Sequence, residues 1–103
     1  MSEILVISSF PDQEQARQIG TALVEKQLAA CVNLLPSVES IFRWEGKVER
    51  ADEVLAFIKT TTERYPELEA EIRDLHPYEL PAIIAIDIHT GLPEYLQWIS
   101  GNL

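Results

Sequence analysis

Between Ala29 and Thr60 the chain reads AACVNLLPSVESIFRWEGKVERADEVLAFIKT, a long stretch rich in Val, Ile and Phe with Glu45-Gly46 at its middle. Gly supplies the positive φ that a tight turn needs, so the stretch is expected to fold as two long antiparallel strands, residues 30–44 and 47–60, joined by a two-residue hairpin turn. Fifteen extended residues span about 50 Å at about 3.3 Å each, whereas a domain of about 100 residues has a radius of gyration near 13 Å. The hairpin must therefore bend or overhang the rest of the domain. Pro36 cannot donate a ladder hydrogen bond and is expected to mark a bulge or break. An overhang with unpaired edges invites aggregation unless another subunit covers it, which predicts a homo-oligomer built on this hairpin.

The other elements follow from periodicity. EILVISSF predicts a buried strand over residues 3–9, ended by Pro11. Asp12 and Gln15 have capping-box spacing, and Ala16, Ile19, Gly20, Leu23 and Gln27 share one helical face, predicting a helix to about Leu28. In TTTERYPELEAEIRDLH, Leu68, Ile72 and Leu75 form the apolar side of a second helix that tolerates Pro66 in its first turn and ends at His76-Pro77. Residues 82–88 read as a fourth strand, and Pro93 to Leu103 as a last helix with Tyr95, Leu96, Ile99 and Leu103 on its apolar side. The order β-α-β-β-α-β-α predicts an α+β ferredoxin-like sandwich: four antiparallel strands covered on one face by two helices, with an extra C-terminal helix. Residues 1–103 are expected to form one domain.

Seventeen acidic against eight basic residues give a formal charge of −9, which argues against nucleic acid or an anionic membrane as partner and favours cations. A start reading MSEILVISSF lacks a basic leader segment, and no apolar run approaches about 20 residues, so a cytoplasmic location is expected. The single Cys31 cannot close an intramolecular disulfide, which fits a reducing compartment.

No Cys-x-x-Cys, His-Glu-x-x-His, Gly-rich phosphate loop or Gly-x-Ser-x-Gly occurs. A thin set of polar residues carries what chemistry there is. Cys31 and Asn33 alternate with Ala30 and Val32 and so share a face of the second strand; a thiolate is a soft copper ligand, and a free thiol is as readily a packing group. Glu53, Leu55, Phe57 and Lys59 point to one side of the third strand, where Lys59 either binds an anion or pairs with Glu79 or the terminal carboxylate. LHPYELP holds His76, Tyr78 and Glu79 on a connector stiffened by Pro77 and Pro81, with His76 read as a helix cap or, when neutral, a metal ligand. Asp87 and His89 make an i, i+2 pair that offers a weak metal site. Trp44 and Trp98 serve either as packing anchors or as pocket lining. A catalytic reading would use His76 beside Tyr78 and Glu79 as acid or base, but no partner nucleophile accompanies them, so an enzyme is not expected.

LAACVN at 28–33, SIFRWEGK at 40–47, Glu53, IKT at 58–60, LHPYELP at 75–81 and GLPEYLQWI at 91–99 resemble the CutA divalent-cation tolerance family in order and spacing. The resemblance implies a ferredoxin-like subunit, a homotrimer with intersubunit strand pairing, a cytoplasmic setting and a link to copper and other divalent cations, with no organic cofactor. It carries the family's shared polar positions onto Cys31, Asn33, Trp44, Glu53, Lys59, His76, Tyr78, Glu79, Tyr95 and Trp98. Of these, Cys31, His76 and Glu79 are the expected metal ligands, and Asn33, Trp44, Glu53, Lys59, Tyr78, Tyr95 and Trp98 the expected lining of a cleft. Phe42 stands where the family usually has tyrosine, and a lone cysteine excludes a multi-thiolate site within one subunit. The family also resembles the trimeric PII signalling proteins, so the alternative is a PII-like module holding a small anionic effector in an intersubunit cleft, with Lys59 and Trp44 meeting His76 and Tyr78 of a neighbouring chain.

Overall fold

Alternation in the first strand sets the frame of the molecule. In a computed structural model describing residues 2–103, β1 (Glu3–Phe10) buries Ile4, Val6, Ser8 and Phe10 on one face and leaves Leu5, Ile7 and Ser9 half-covered on the other. It is followed by α1 (Gln13–Glu25), β2 (Cys31–Trp44), β3 (Lys47–Thr61), α2 (Tyr65–Leu75), β4 (Ile83–Asp87) and α3 (Pro93–Gly101). All neighbouring strands are antiparallel in the order β2-β3-β1-β4, because β3 inserts between the two strands of the first β-α-β unit. The fold is the expected α+β ferredoxin-like sandwich with an added C-terminal helix.

Asp12 caps α1 by accepting from the Gln15 backbone N–H at 2.8 Å and from Gln15 Nε2 at 2.7 Å. The helix stops at Glu25, short of Leu28: Gln27 turns to φ 57°, and the Leu28 N–H returns to the Leu23 carbonyl at 2.9 Å, a Schellman-type ending. Gln27 therefore leaves the helical face on which its spacing placed it. Ala16, Ile19 and Leu23 of α1 and Leu68 and Ile72 of α2 close over Val6, Phe10, Val54, Ala56 and Ile58 as the core. Leu75 does not join them and is 42 % exposed. The chain goes extended at His76, and it is the His76 ring, buried against Phe10, that continues the core from the end of α2.

β1 covers β3 only over Val54–Thr61, so among the described residues the strands of 38–53 pair only with each other. The register slips between Leu35 and Val38, where Pro36 and Ser37 (φ 65°) face Val54 in a bulge at the predicted proline. Both turn residues take positive φ, 50° at Glu45 and 79° at Gly46, the type I′ pattern suited to the right-handed twist of the strands. The overhang stretches the molecule to 44 Å along its longest axis against 25 and 23 Å across.

α3 lies on the face opposite the first two helices, reaching Lys59 from Tyr95 and burying Ile99. Beyond it that face is open: Leu35, Ile84 and Ile86 stay exposed, as do Ile41, Phe42, Trp44 and Val48 on the hairpin. β2 and β4 are free sheet edges, and β4 is shorter than the stretch 82–88 expected of it.

Candidate functional site

The expected polar residues separate into two clusters, one around the middle of β3 where β1 stops covering it and one near its C-terminal end. Glu53 and Lys59 lie on the same face six residues apart, about 20 Å at strand spacing. Within one chain they do not share a cleft.

The first cluster sits where the hairpin leaves the sheet. His76 Nε2 meets the Ser9 carbonyl at 2.7 Å, and its Nδ1 accepts the Tyr78 backbone N–H at 3.1 Å. A nitrogen that accepts an amide proton carries none itself, so the ring is the neutral tautomer with its proton on Nε2, donated to Ser9. The imidazole also stacks on Phe10, with centroids 4.9 Å apart. Stiffened by Pro77, the loop then aims the Tyr78 hydroxyl at Glu53, donating to Oε2 at 2.8 Å. Glu53 is buried, and this phenol is the hydrogen bond that satisfies it. Burial, then the bond to Glu53, pushes the Tyr78 phenol up from 10.0 to about 12. Tyr78 and Glu53, with Ser40, Phe42, Trp44 and Arg50, line a concavity of about 1020 Å³ between the hairpin and the 77–84 segment; His76 lies behind it and is not part of its lining. Arg50 is held by Glu39 and Asp52, so its charge is largely met within the hairpin. Glu79 borders the same concavity as an exposed side chain.

Near the C-terminal end of β3, Lys59 stands opposite Cys31 in the β2-β3 register, and Asn33 opposite Phe57, all on the open face. Lys59 Nζ donates to Tyr95 Oη at 3.0 Å and lies 5.2 Å from the centre of its ring. Tyr95 stacks on Trp98 at 5.6 Å and 19°. The Cys31 thiol is half-exposed and points at the Asn33 side-chain oxygen, 3.7 Å away. Lys59 thus pairs with a phenol rather than with Glu79 or the terminal carboxylate, and the bond to Tyr95 raises its pKa.

The expected metal ligands do not fit an ion within one subunit. Cys31 is in the Lys59 cluster, whereas His76 and Glu79 are in the other, and His76 has both ring nitrogens engaged. Among the described residues no three His, Cys, Asp or Glu side chains are grouped to hold a metal ion. β4 ends at Asp87, so His89 lies just beyond the strand on which the i, i+2 pair was expected. Sequence reasoning missed the Ser9 carbonyl as the partner of His76. A backbone acceptor has no residue-type signal, and only the burial of Phe10 beside it hints at the contact.

Tyr65, donating to Glu69 at 2.8 Å, is likewise pushed up to about 12 by burial and then that bond. Both phenols ionise near 10 in the unfolded chain and near 12 in the folded one, so the stability they contribute is fully present below about pH 10 and lost as pH rises toward 12. Tyr78→Phe should flatten part of this alkaline loss in urea titrations. An unchanged pH profile in both Tyr78→Phe and Tyr65→Phe would contradict the assignment.

A four-stranded sheet with two helices on one face, one on the other, an overhanging hairpin and a proline-stiffened loop at its base defines a class of small ferredoxin-like α+β subunits. Residues 4–102 match the CutA1 divalent ion tolerance protein family, and the chain belongs to that family. It is 46 % identical over 102 residues to the divalent-cation tolerance protein CutA of Thermus thermophilus, covering 99 % of this chain and 98 % of the relative. Protein CutA of Mus musculus is 46 % identical over 89 residues, which are 86 % of this chain and half of the mouse protein's length. The solved Cut A1 structure from Thermus thermophilus superposes with a TM-score of 0.95, at 46 % identity, over 97 % of each chain. A structure from Archaeoglobus fulgidus, described as a periplasmic divalent cation tolerance protein CutA, gives 0.94 at 41 % identity, also over 97 % of each. Among the described residues no helix is long and apolar enough to cross a membrane.

Proposed function

We propose that this protein acts as a cytoplasmic homotrimer in divalent-cation tolerance, binding copper above other divalent ions without catalysing a reaction. The observation that carries the reading is the overhang at residues 38–53, two strands with apolar side chains and no cover. The sheet has two unlike free edges, β2 and β4, and pairing the β2 edge of one copy with the β4 edge of the next is a head-to-tail contact, which gives a ring when the rotation between copies closes and a filament when it does not. Three copies give the smallest such ring, in keeping with the family resemblance. Imidazole and thiolate donors favour copper by the Irving-Williams order, and the charge of −9 raises the local concentration of cations. Because Cys31 and the pair His76 and Glu79 lie apart in one chain, the copper site is assembled from more than one subunit. His76 would have to release Ser9 or Tyr78 to join it. Titration calorimetry of the metal-free protein with Cu²⁺, Zn²⁺ and Ni²⁺ tests this: copper should bind most tightly, and Cys31→Ala should weaken it at least about tenfold, the usual cost of disturbing a metal site. Equal copper affinity in wild type, Cys31→Ala and His76→Ala would end the metal reading.

A second reading, a PII-like trimer that binds a small anion, is favoured by Lys59, an ordered cation with no carboxylate partner among the described residues of a strongly acidic chain. Screening small anions by thermal shift of the intact oligomer tests it. If no anion raises Tm, this reading fails.

A further inference from the structure

The corner between α3 and the open face of the sheet combines three features that no packing requirement explains. The Lys59 ammonium is immobilised by the Tyr95 hydroxyl at 3.0 Å and carries a full charge that no carboxylate among the described residues offsets. Tyr95 and Trp98 form a near-parallel stack, yet within a single chain they remain 38 % and 45 % exposed, so the pair is only partly covered. Asn33, exposed beside Phe57 in the adjoining register row, adds an amide that can donate or accept. Were the aromatic pair only an anchor for α3, burying Ile99 would already serve that purpose.

We propose that Lys59, Tyr95 and Trp98 form a binding site for a small planar organic anion, its charged head on the Lys59 ammonium and its ring extending the Tyr95–Trp98 stack. The proposal rests on the anion-binding reading above and narrows it to residues of one chain, without Trp44, His76 or Tyr78. A hydrogen-bonded ammonium loses little conformational freedom on meeting an anion, and offset stacking adds affinity that a bare ion would not receive. Lysine acts as a point charge, so carboxylate and phosphate heads are both admissible and the ring supplies selectivity.

The test is a fluorescence titration of the intact protein carrying Trp44→Phe, so that Trp98 is the sole tryptophan reporter. Benzoate and phenyl phosphate are compared with neutral benzamide and with inorganic phosphate. The expected result is a saturable change in Trp98 emission with at least one aryl anion, about tenfold or more weaker with benzamide. Lys59→Met should abolish it and Lys59→Arg should largely retain it, with circular dichroism showing both variants folded. Equal binding of benzoate and benzamide, or saturation by inorganic phosphate alone, would overturn the proposal, as would no response to any probe. If anions raise Tm in the thermal-shift screen while Trp98 and Lys59→Met are indifferent to them, the general anion reading stands and this site falls; if no anion acts in either assay, both fall.

Discussion

If the protein is the homotrimer proposed above, replacing residues 41–50 by Asn-Gly is expected to convert it into a monomer somewhat lighter than the 11.7 kDa of the intact chain. The cut keeps the register, because Ser40 and Ala51 are paired directly and sit four positions from the Trp44 and Lys47 pair that flanks the present turn. Strand parity is therefore preserved, and Asn-Gly is the preferred type I′ sequence. The deletion removes Ile41, Phe42, Trp44 and Val48, of which Ile41 and Val48 are 69 % and 67 % exposed in a single chain. Burying such side chains in an interface contributes about 1–2 kcal/mol each, so losing all four per subunit raises the dissociation constant by about a thousandfold or more. Sedimentation or light scattering across a dilution series reads the result directly. The four-stranded part of the sheet, the core and the His76 loop lie outside the excised segment, so the far-ultraviolet spectrum should remain that of a folded α+β protein. A shortened chain that still runs as a trimer would show that the hairpin is not what holds the copies together.

Phe10→Ala is expected to cost about 3–5 kcal/mol, the usual range for truncating a fully buried aromatic. Phe10 is 1 % exposed at the end of β1, and its ring supports the imidazole of His76. The loss therefore reaches beyond the cavity itself: without that support the His76 bonds to the Ser9 carbonyl and the Tyr78 amide are held less firmly, and the Tyr78–Glu53 bond depends on the same loop. Urea denaturation of the shortened-hairpin chain measures the cost free of concentration effects, since oligomer stability cannot be separated from protomer concentration. Faster hydrogen exchange at the Tyr78 amide would report the loosened loop. A change under about 1 kcal/mol with unaltered exchange would place the support of His76 elsewhere.

Much of this architecture was legible in the residues. Alternation in EILVISSF, the Asp12 and Gln15 cap, Pro36 and Glu45-Gly46 each act over a few neighbours, and each appears where it was expected. The failures lie at element ends. Leu75 had the right spacing for the core, yet the helix stops there and His76 turns in instead, because stacking on Phe10 and two hydrogen bonds satisfy a neutral imidazole better than solvent exposure would. Gln27 had the right spacing too, but the chain needed a left-handed residue to leave α1.

Local periodicity and turn chemistry, which depend on side chains a few positions apart, were enough to determine the order of the elements, the bulge, the hairpin and its overhang. The family pattern was legible for the same reason, being written in short contiguous motifs. Only the tertiary structure decided which of the polar residues meet. It separated Cys31, Lys59, Tyr95 and Trp98 from Glu53, His76 and Tyr78, and it committed both nitrogens of His76 to the backbone. Those pairings join residues far apart in the chain, such as Lys59 with Tyr95 and Ser9 with His76, and they depend on sheet register and on where α3 packs, which no short stretch of sequence encodes.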